Sequence, residues 1–417
     1  MGKTEKLFKY SQWNSSVWRI AVLFPLKDRD LRPYGESGWL GVRGALVKNA
    51  DKIPISVKFI DSSNPKQLMR QLEKLDPCPH VCLGIIRSNV AREVEEFCRI
   101  YECLFIGTDN AATRFMRDSE SITWPHFRVT KLTDQMVRVS LQALSFICPE
   151  ARRVMLVVSA YEYGRSIQEE CLRLALQHPS WLKCGFTDVF EYPIKPPKNE
   201  YIEYFLELLS QSRPDAILLG MWGPSLKEFL NRVMIRFLSS YSTVIIIPDS
   251  GWDDAATGIG FPKKSIVGSR YYINIETGKE LRGRQLIQEL KKCIKSENAF
   301  DFSVRYQIAA SYSGTAAVIS AIKELQESQK NSMSLAHSAG SLSKKLKSTK
   351  VTIYSGIGKP EICHFAAKDA EKTRYYLPQS HRIAIAKFDK CDVKKPKNWN
   401  FYSEDELCKQ LNIEKKI

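Results

Sequence analysis

The sequence predicts an α/β protein of two lobes, each a parallel sheet flanked by helices. Three observations predict it. Apolar runs alternate with amphipathic segments, the alternation occurs in two successive arrays, and each array contains a buried strand that leads to a Tyr-Gly pair at a helix start. The run Ile20–Leu26 leads through a polar loop to Tyr34-Gly35, and Val154–Ser159 leads through Ala160-Tyr161-Glu162 to Tyr163-Gly164. Open α/β sheets bind ligands outside the carboxyl ends of their strands. The repeated phrase therefore marks two ligand-facing edges, and two such edges facing each other make a cleft.

In the first array the strand segments are Ile20–Leu26, Ile55–Asp61, Val81–Ile86 and Cys103–Ile106, apolar and rich in β-branched or aromatic residues. Between them Leu68, Met69, Leu72 and Leu75 share one helical face, as do Val90, Val94, Phe97 and Tyr101. Ser63 with Pro65 reads as a helix start. The second array begins after Phe127-Arg128-Val129, where Thr133 is placed to cap a helix carrying Met136, Val139, Leu141, Leu144 and Ile147. Strand Val154–Ser159, helix Ile167–Leu176, strand Phe186–Tyr192, helix Tyr201–Leu209, strand Asp215–Gly220, helix Leu226–Phe237 and strand Thr243–Pro248 complete it. Beyond about residue 268 helices are expected over Leu281–Ser296 and Tyr306–Gln326. A Ser/Lys-rich exposed connection is expected over Ser328–Lys350, with short strands at Val351–Tyr354, Ile362–Phe365 and Ile383–Phe388. These last pieces are too few for a third domain and are expected to complete the two lobes.

The 417 residues, 44% hydrophobic and 26% charged, have the composition of a folded globular chain. The longest apolar stretches fall far below the roughly 18–20 residues of a membrane helix. The N-terminus has no apolar h-region, and Lys6 breaks the myristoylation pattern. The eleven cysteines form an odd, scattered set that suits a reducing compartment. The expectation is therefore a cytoplasmic protein, or an extracytoplasmic one whose export signal lies outside the sequence given. The net charge of +16 is concentrated towards the C-terminal end, at Lys344-Lys345, Lys347, Lys350, Lys394-Lys395, Lys397 and Lys415-Lys416. It reads as a solvated face rather than as a nucleic-acid surface.

The segments Val22-Leu23-Phe24-Pro25-Leu26 with Tyr34-Gly35, Leu83-Gly84-Ile85-Ile86-Arg87-Ser88, Phe105-Ile106-Gly107-Thr108, Tyr163-Gly164, Pro214-Asp215-Ala216 and Pro248-Asp249-Ser250-Gly251 carry a resemblance by their order and spacing. The chain resembles the type I periplasmic-binding-protein fold over roughly residues 17 to 390. Its nearest branch is the leucine/isoleucine/valine-type solute-binding proteins and the related ligand-binding regions of receptors. The resemblance implies two Rossmann-like lobes joined by three hinge strands, with crossings near Phe127–Lys131, Val267–Tyr271 and Lys350–Gly358. It divides the chain into an N-terminal extension (1–17), lobe 1 (18–128 and 270–345), lobe 2 (129–269 and 346–390) and a basic C-terminal tail (391–417). It implies no catalytic machinery and no cofactor, only ligand binding coupled to hinge closure.

Candidate ligand-binding residues follow. Ser88 ends a strand and opens a helix, so its hydroxyl and the first-turn N–H groups can hold a carboxylate; it reads equally as an N-cap. Arg87 either strengthens that site or is solvated. Tyr34 and Tyr163 are expected to line the cleft from opposite lobes, or else to pack at loop–helix junctions. Asp109 and Ala111 follow the fourth strand, where the family holds a ligand's polar end. The run Gly107-Thr108-Asp109-Asn110-Ala111 departs from the family's small Ser/Pro/Ala/Thr residues. A carboxylate there suits an ammonium or a polyol, or forms an Asx turn. Trp222 stands where the family places an aromatic wall, and Asp249 is a partner for an ammonium or a turn cap. The set suits a zwitterionic, amino-acid-like ligand.

An enzyme reading finds no support in the motifs. Gly38, Gly41 and Gly44 do not make GxGxxG, Gly356-Ile357-Gly358-Lys359 lacks P-loop spacing, and the six histidines form no metal-spaced pair. Cys78, His80 and Cys82 alternate like ligands, but no second pair follows at finger-like spacing, and Cys82 reads as a buried strand residue. Two binding roles remain: a solute-binding protein that serves a membrane permease, or a sensor that passes closure to a regulatory protein. A scaffold that keeps the fold without a small-molecule site is the alternative. The basic tail, with the helix-like Glu404–Leu411, is a candidate docking surface for an acidic partner.

Overall fold

The computed structural model describes residues 13–50, 53–109, 112, 126–129, 132–193, 198–238, 240–241, 243–248, 271–274, 286, 290, 305–329, 338–353, 361–367, 375–378, 382–387 and 399–403. In chain order the elements begin β1 (Trp18–Phe24), α1 (Arg32–Asn49), β2 (Ile55–Asp61), α2 (Pro65–Glu73), β3 (Val81–Gly84), α3 (Ser88–Ile100), β4 (Leu104–Gly107) and β5 (His126–Arg128). Next come α4 (Thr133–Ile147), β6 (Val154–Ser159), α5 (Glu162–Gln177), β7 (Asp188–Tyr192), α6 (Asn199–Ser212), β8 (Ala216–Gly220) and α7 (Gly223–Phe229). A π-helical turn over Leu230–Met234 joins α7 to α8 (Ile235–Leu238), followed by β9 (Val244–Ile247) and β10 (Tyr271–Asn274). The last are α9 (Arg305–Gln329), α10 (Ala339–Ser348), β11 (Lys350–Ile353), β12 (Glu361–Ala367), β13 (Tyr375–Pro378), β14 (Arg382–Lys387) and β15 (Trp399–Ser403).

The chain divides into two units. The first takes in Met1–Asn110, Phe115–Lys131 and Leu281–Ser380, the second Ala111–Arg114, Leu132–Glu280 and His381–Ile417. The first unit holds an eight-stranded sheet in the order β11-β12-β13-β5-β4-β3-β1-β2. From β2 to β13 all neighbours are parallel, and β12 and β11 extend that edge antiparallel. Both faces are covered, which is why β1 reads as a continuous apolar run and is buried along its whole length. Ala21 and Leu23 join Cys82, Phe105 and the inward residues of α2 and α3 in one core. On α1, Leu40 and Ala45 pack with Ile308 and Tyr312 of α9 in another.

The second unit holds a seven-stranded sheet in the order β15-β14-β10-β9-β8-β6-β7, parallel from β7 to β10 and antiparallel beyond. Successive residues of β6 part to opposite cores. Val154, Leu156 and Val158 meet α4 and α5, whereas Met155 and Val157 meet α6 and the α7–α8 segment. Each fully buried Val, Leu, Ile or Phe contributes roughly 1.5–3 kcal/mol relative to exposure, so this double coverage is what holds a parallel sheet.

Several expectations are corrected. The cap of α2 is Asn64, whose side chain accepts from Gln67 N at 3.1 Å, while Ser63 serves another purpose described below. Thr133 is the first residue of α4 rather than its cap, and its hydroxyl meets Ser166 Oγ at 2.7 Å. Part of the Ser/Lys-rich connection is a helix, α10: Leu342 and Leu346, four apart, fall on one buried face, and Ser338 caps it through Ser341 N. Strands β11, β12 and β13 belong to the first sheet and not to the second lobe, because β13 pairs with β5 and β12 and β11 follow it; the first unit runs to Ser380, so the chain does not leave it near Lys350–Gly358. Likewise β10 pairs with β9 in the second sheet, so residues 271–274 are not part of the first lobe. The tail is not a tail throughout, since β15 pairs with β14. Leu281–Ser296, apart from Leu286 and Leu290, and Glu404–Leu411 lie outside the described residues.

Candidate functional site

Both sheets share one feature that locates a site. In the first unit the chain lays β2 on one side of β1 and β3, β4 and β5 on the other; in the second it lays β7 on one side of β6 and β8, β9 and β10 on the other. The order 2-1-3-4-5 reverses direction beside its first strand. Loops leaving the two strands at that reversal diverge to opposite faces and open a crevice at their carboxyl ends, the usual ligand position in open α/β sheets. The two switch points lie between β1 and β3 and between β6 and β8. The paired Tyr-Gly phrases open the helices beside them.

At the first switch point the loop after β1 is pinned by side chains. Asp61, at the end of β2, accepts from Leu26 N at 2.8 Å, Lys27 N at 3.3 Å and Ser63 Oγ at 2.7 Å. Ser63 Oγ in turn accepts from Lys27 N and Asp28 N at 3.1 and 2.8 Å. Asp28 Oδ1 accepts from Asp30 N and Leu31 N, turning the chain into α1, and its other oxygen pairs with Arg87 across the switch point. After β3 the backbone enters the left-handed region at two consecutive residues, Gly84 at φ +124° and Ile85 at φ +67°. A β-branched residue rarely adopts that conformation, and such residues gather at ligand sites. Ile85 N donates to Leu23 O at 2.9 Å, holding the bend that delivers Arg87 and Ser88.

The second switch point is aromatic. Tyr161 is 40% exposed, Tyr163 and Trp222 are half-buried, and Tyr163 OH donates to Met136 Sδ at 4.0 Å. The end of β7 supplies Tyr192, fully buried and packed edge-on against Phe229 at 5.1 Å. Burial raises the Tyr192 phenol pKa, and the Glu228 carboxylate adds to the rise. Ala160 N donates to Tyr192 O at 3.0 Å, tying the loop after β6 to the end of β7.

The Tyr-Gly phrase has one physical cause in both units. A Cβ on Gly35 would lie 2.5 Å from Pro25 O, and one on Gly164 would lie 2.0 Å from Ser159 O. Each glycine lets a helix start press against the end of the strand before it.

Of the candidate residues, Arg87 and Ser88 come together at the first switch point beside Asp28. The cap position of α3 is Arg87, with no side-chain cap bond, and Ser88 is the first helical residue, so the reading of Ser88 as an N-cap is corrected. Tyr34 is only 5% exposed, in the first turn of α1. Asp109 is buried after β4, beside Thr108, whose hydroxyl accepts from Gln307 Nε2 at 3.1 Å. Tyr163 and Trp222 flank the second switch point. Ala111 and Asp249 lie outside the described residues. Asp28, Asp61 and Ser63 were not among the candidates. Their signal was the spacing Asp28-x-Asp30-Leu31 before Pro33, an Asx turn, and a carboxylate ending a buried strand.

No protein-family model and no curated protein matches the sequence. Solved structures do match. An amino acid ABC transporter substrate-binding protein from Pseudomonas fluorescens Pf-5 superposes with a TM-score of 0.70 at 14% identity, over 93% of this chain and 95% of that one. A solute-binding protein of an ABC transporter from Rhodopseudomonas palustris HaA2, in complex with p-hydroxybenzoic acid, gives 0.69 at 13% identity, over 93% and 98%. The leucine-binding protein LivK from Thermotoga maritima MSB8 gives 0.66 at 11% identity, over 93% and 99%. The cytoplasmic expectation draws no support from these transport proteins, and no helix among the described residues is long and apolar enough to cross a membrane. Identities this low speak to architecture alone, and together with the two 2-1-3-4-5 sheets they show that the chain has the type I periplasmic-binding-protein fold.

Proposed function

We propose that this chain is a non-catalytic binding protein for a small carboxylic acid that also carries an apolar or aromatic body, as amino acids and hydroxybenzoates do. The observation that carries the reading is the left-handed bend at Gly84-Ile85, which spends backbone strain to present Arg87, Ser88 and the first N–H groups of α3 at a topological switch point. First-turn N–H groups lack intrahelical partners and favour an anion. Tyr163 and Trp222, half-buried at the second switch point, supply aromatic surface suited to the ligand body. Asp109 and Asp249 are the candidate partners for an ammonium, and Tyr34 and Ala111 complete the proposed set. The matched structures include an amino acid ABC transporter substrate-binding protein and a solute-binding protein in complex with p-hydroxybenzoic acid, and both ligand classes carry a carboxylate. Their role beside ABC transporters favours delivery of solute to a membrane permease over regulatory sensing.

The test is thermal denaturation of protein purified under denaturant and refolded, so that no ligand is carried through, against leucine, glutamate, 4-hydroxybenzoate, benzyl alcohol and glucose. A ligand at a hundred times its Kd stabilises by about 2.7 kcal/mol. Carboxylates are expected to raise Tm where benzyl alcohol and glucose do not, and Ser88→Ala and Trp222→Ala to weaken the response at least tenfold. A flat panel would replace this reading with the interaction scaffold.

A further inference from the structure

The first unit holds a cluster of three cysteines that ligand binding at the switch points does not use. Cys82 lies on β3, opposite Phe105 of β4. Cys98 lies in the last turn of α3, and Cys103 stands directly before β4, its N–H donating to Cys98 O at 3.0 Å. All three side chains are fully buried, and their sulfur atoms lie within 4.8 Å of one another. They are thiols, not disulfides. Among the described residues this is the single convergence of three His, Cys, Asp or Glu ligand atoms. It does not include His80 and Cys78, the neighbours that alternate with Cys82 in sequence. His80 instead accepts from Arg19 N through Nδ1 at 3.0 Å.

We infer that Cys82, Cys98 and Cys103 form a three-sulfur site for a thiophilic d10 cation of the copper(I), zinc or cadmium class. Three sulfurs each about 2.3 Å from one ion stand about 4 Å apart, so the observed spacing needs less than about 1 Å of closure. Soft thiolates select such ions over magnesium or calcium. The surrounding side chains, Ala21, Val94, Phe97 and Phe105, are apolar, and the Leu104 carbonyl, which accepts from Cys98 Sγ at 3.8 Å, loses that bond when the thiol gives up its proton to the metal. Binding breaks three S–H bonds, forms three S–metal bonds and releases three protons to the buffer, with no change of oxidation state. Entry is through the α3–β4 turn. Ile100 and Tyr101 there are 57% and 42% exposed, Glu102 sits at φ +50°, and fraying of the last helical turn moves Cys98 and Cys103 outward. A structural role alone would explain burial, since free cysteines behave as small hydrophobes. It would not require three sulfurs to converge from a strand, a helix and a turn.

The experiment is titration of the reduced 417-residue chain with cadmium(II) alone, read by the near-ultraviolet thiolate-to-metal charge-transfer band. X-ray absorption on the wild-type complex then counts the sulfurs. One ion per chain with three sulfur neighbours is expected. Cys82→Ser, Cys98→Ser and Cys103→Ser should each weaken binding at least tenfold, whereas Cys171→Ser, buried in the second unit, should not. Absence of the band, fewer than three sulfurs, or full affinity in Cys82→Ser overturns the inference. So does a disulfide among the three that forms in air in preference to metal binding. The sulfur count on wild type decides the matter even where a serine variant does not fold.

Discussion

Asp61 and Tyr192 occupy equivalent places in the two units. Each ends the second strand of its sheet, opposite the last residue of the first strand: Asp61 opposite Phe24, Tyr192 opposite Ser159. In the first unit that position holds a carboxylate that gathers Leu26 N, Lys27 N and Ser63 Oγ. In the second it holds an aromatic ring buried against Phe229. One topology thus carries a polar clamp and an apolar plug. The difference teaches that the switch point is fixed by strand order, while its chemistry is set by the few side chains at the strand ends. The polar edge is the one beside Arg87 and Ser88, and the aromatic edge is the one beside Tyr163 and Trp222.

The comparison breaks most readily at what the two edges share. Gly164→Ala is expected to destabilise by about 3 kcal/mol and Gly35→Ala by about 2 kcal/mol, because a Cβ must push backbone away at both sites and approaches closer at Gly164. Urea midpoints at constant slope measure this; negligible losses would show that the helix starts are not pressed on the strands, and equal losses that the closer approach at Gly164 adds no cost. Where the edges differ, Asp61→Ala should cost about 2 kcal/mol through its lost charge-assisted hydrogen bonds, with Asp61→Asn recovering about half. No loss in Asp61→Ala would mean the loop after β1 holds its shape without the clamp.

The smallest effect concerns pH. The folded chain holds the Tyr192 phenol protonated by burial, whereas an unfolded tyrosine ionises near pH 10. Stability from this group is complete below about pH 10 and is lost as pH rises beyond it, by at most about 1.4 kcal/mol per pH unit. Burial raises Tyr201 in the same direction. Tyr192→Phe should flatten part of the alkaline slope while leaving stability at neutral pH nearly unchanged, since the Tyr192 hydroxyl has no hydrogen-bond partner among the described residues. An unchanged slope in Tyr192→Phe would assign the alkaline loss elsewhere.

Much of this was legible in the sequence. The alternation of period-2 and period-3.6 segments gave two α/β arrays because each periodicity is local: a strand covered on both faces must be apolar throughout, and a helix covered on one must show a stripe. The α10 helix escaped notice because only Leu342 and Leu346 mark its stripe among serines and lysines. The Tyr-Gly phrases were legible as strand-to-helix junctions, although not for the reason the structure supplies, a backbone approach that excludes a Cβ.

Sequence by itself therefore determined the fold class, the twofold array and the junctions where ligands are expected, since these depend on neighbours within a dozen residues. Tertiary structure alone decided which strand lies beside which. It sent β11–β13 to the first sheet and β10 to the second, brought Asp28 to Arg87, Asp61 to the loop after β1, and Cys82 to Cys98 and Cys103. Those meetings join residues far apart in the chain, and the pairing energy that selects them comes from surfaces no local window contains.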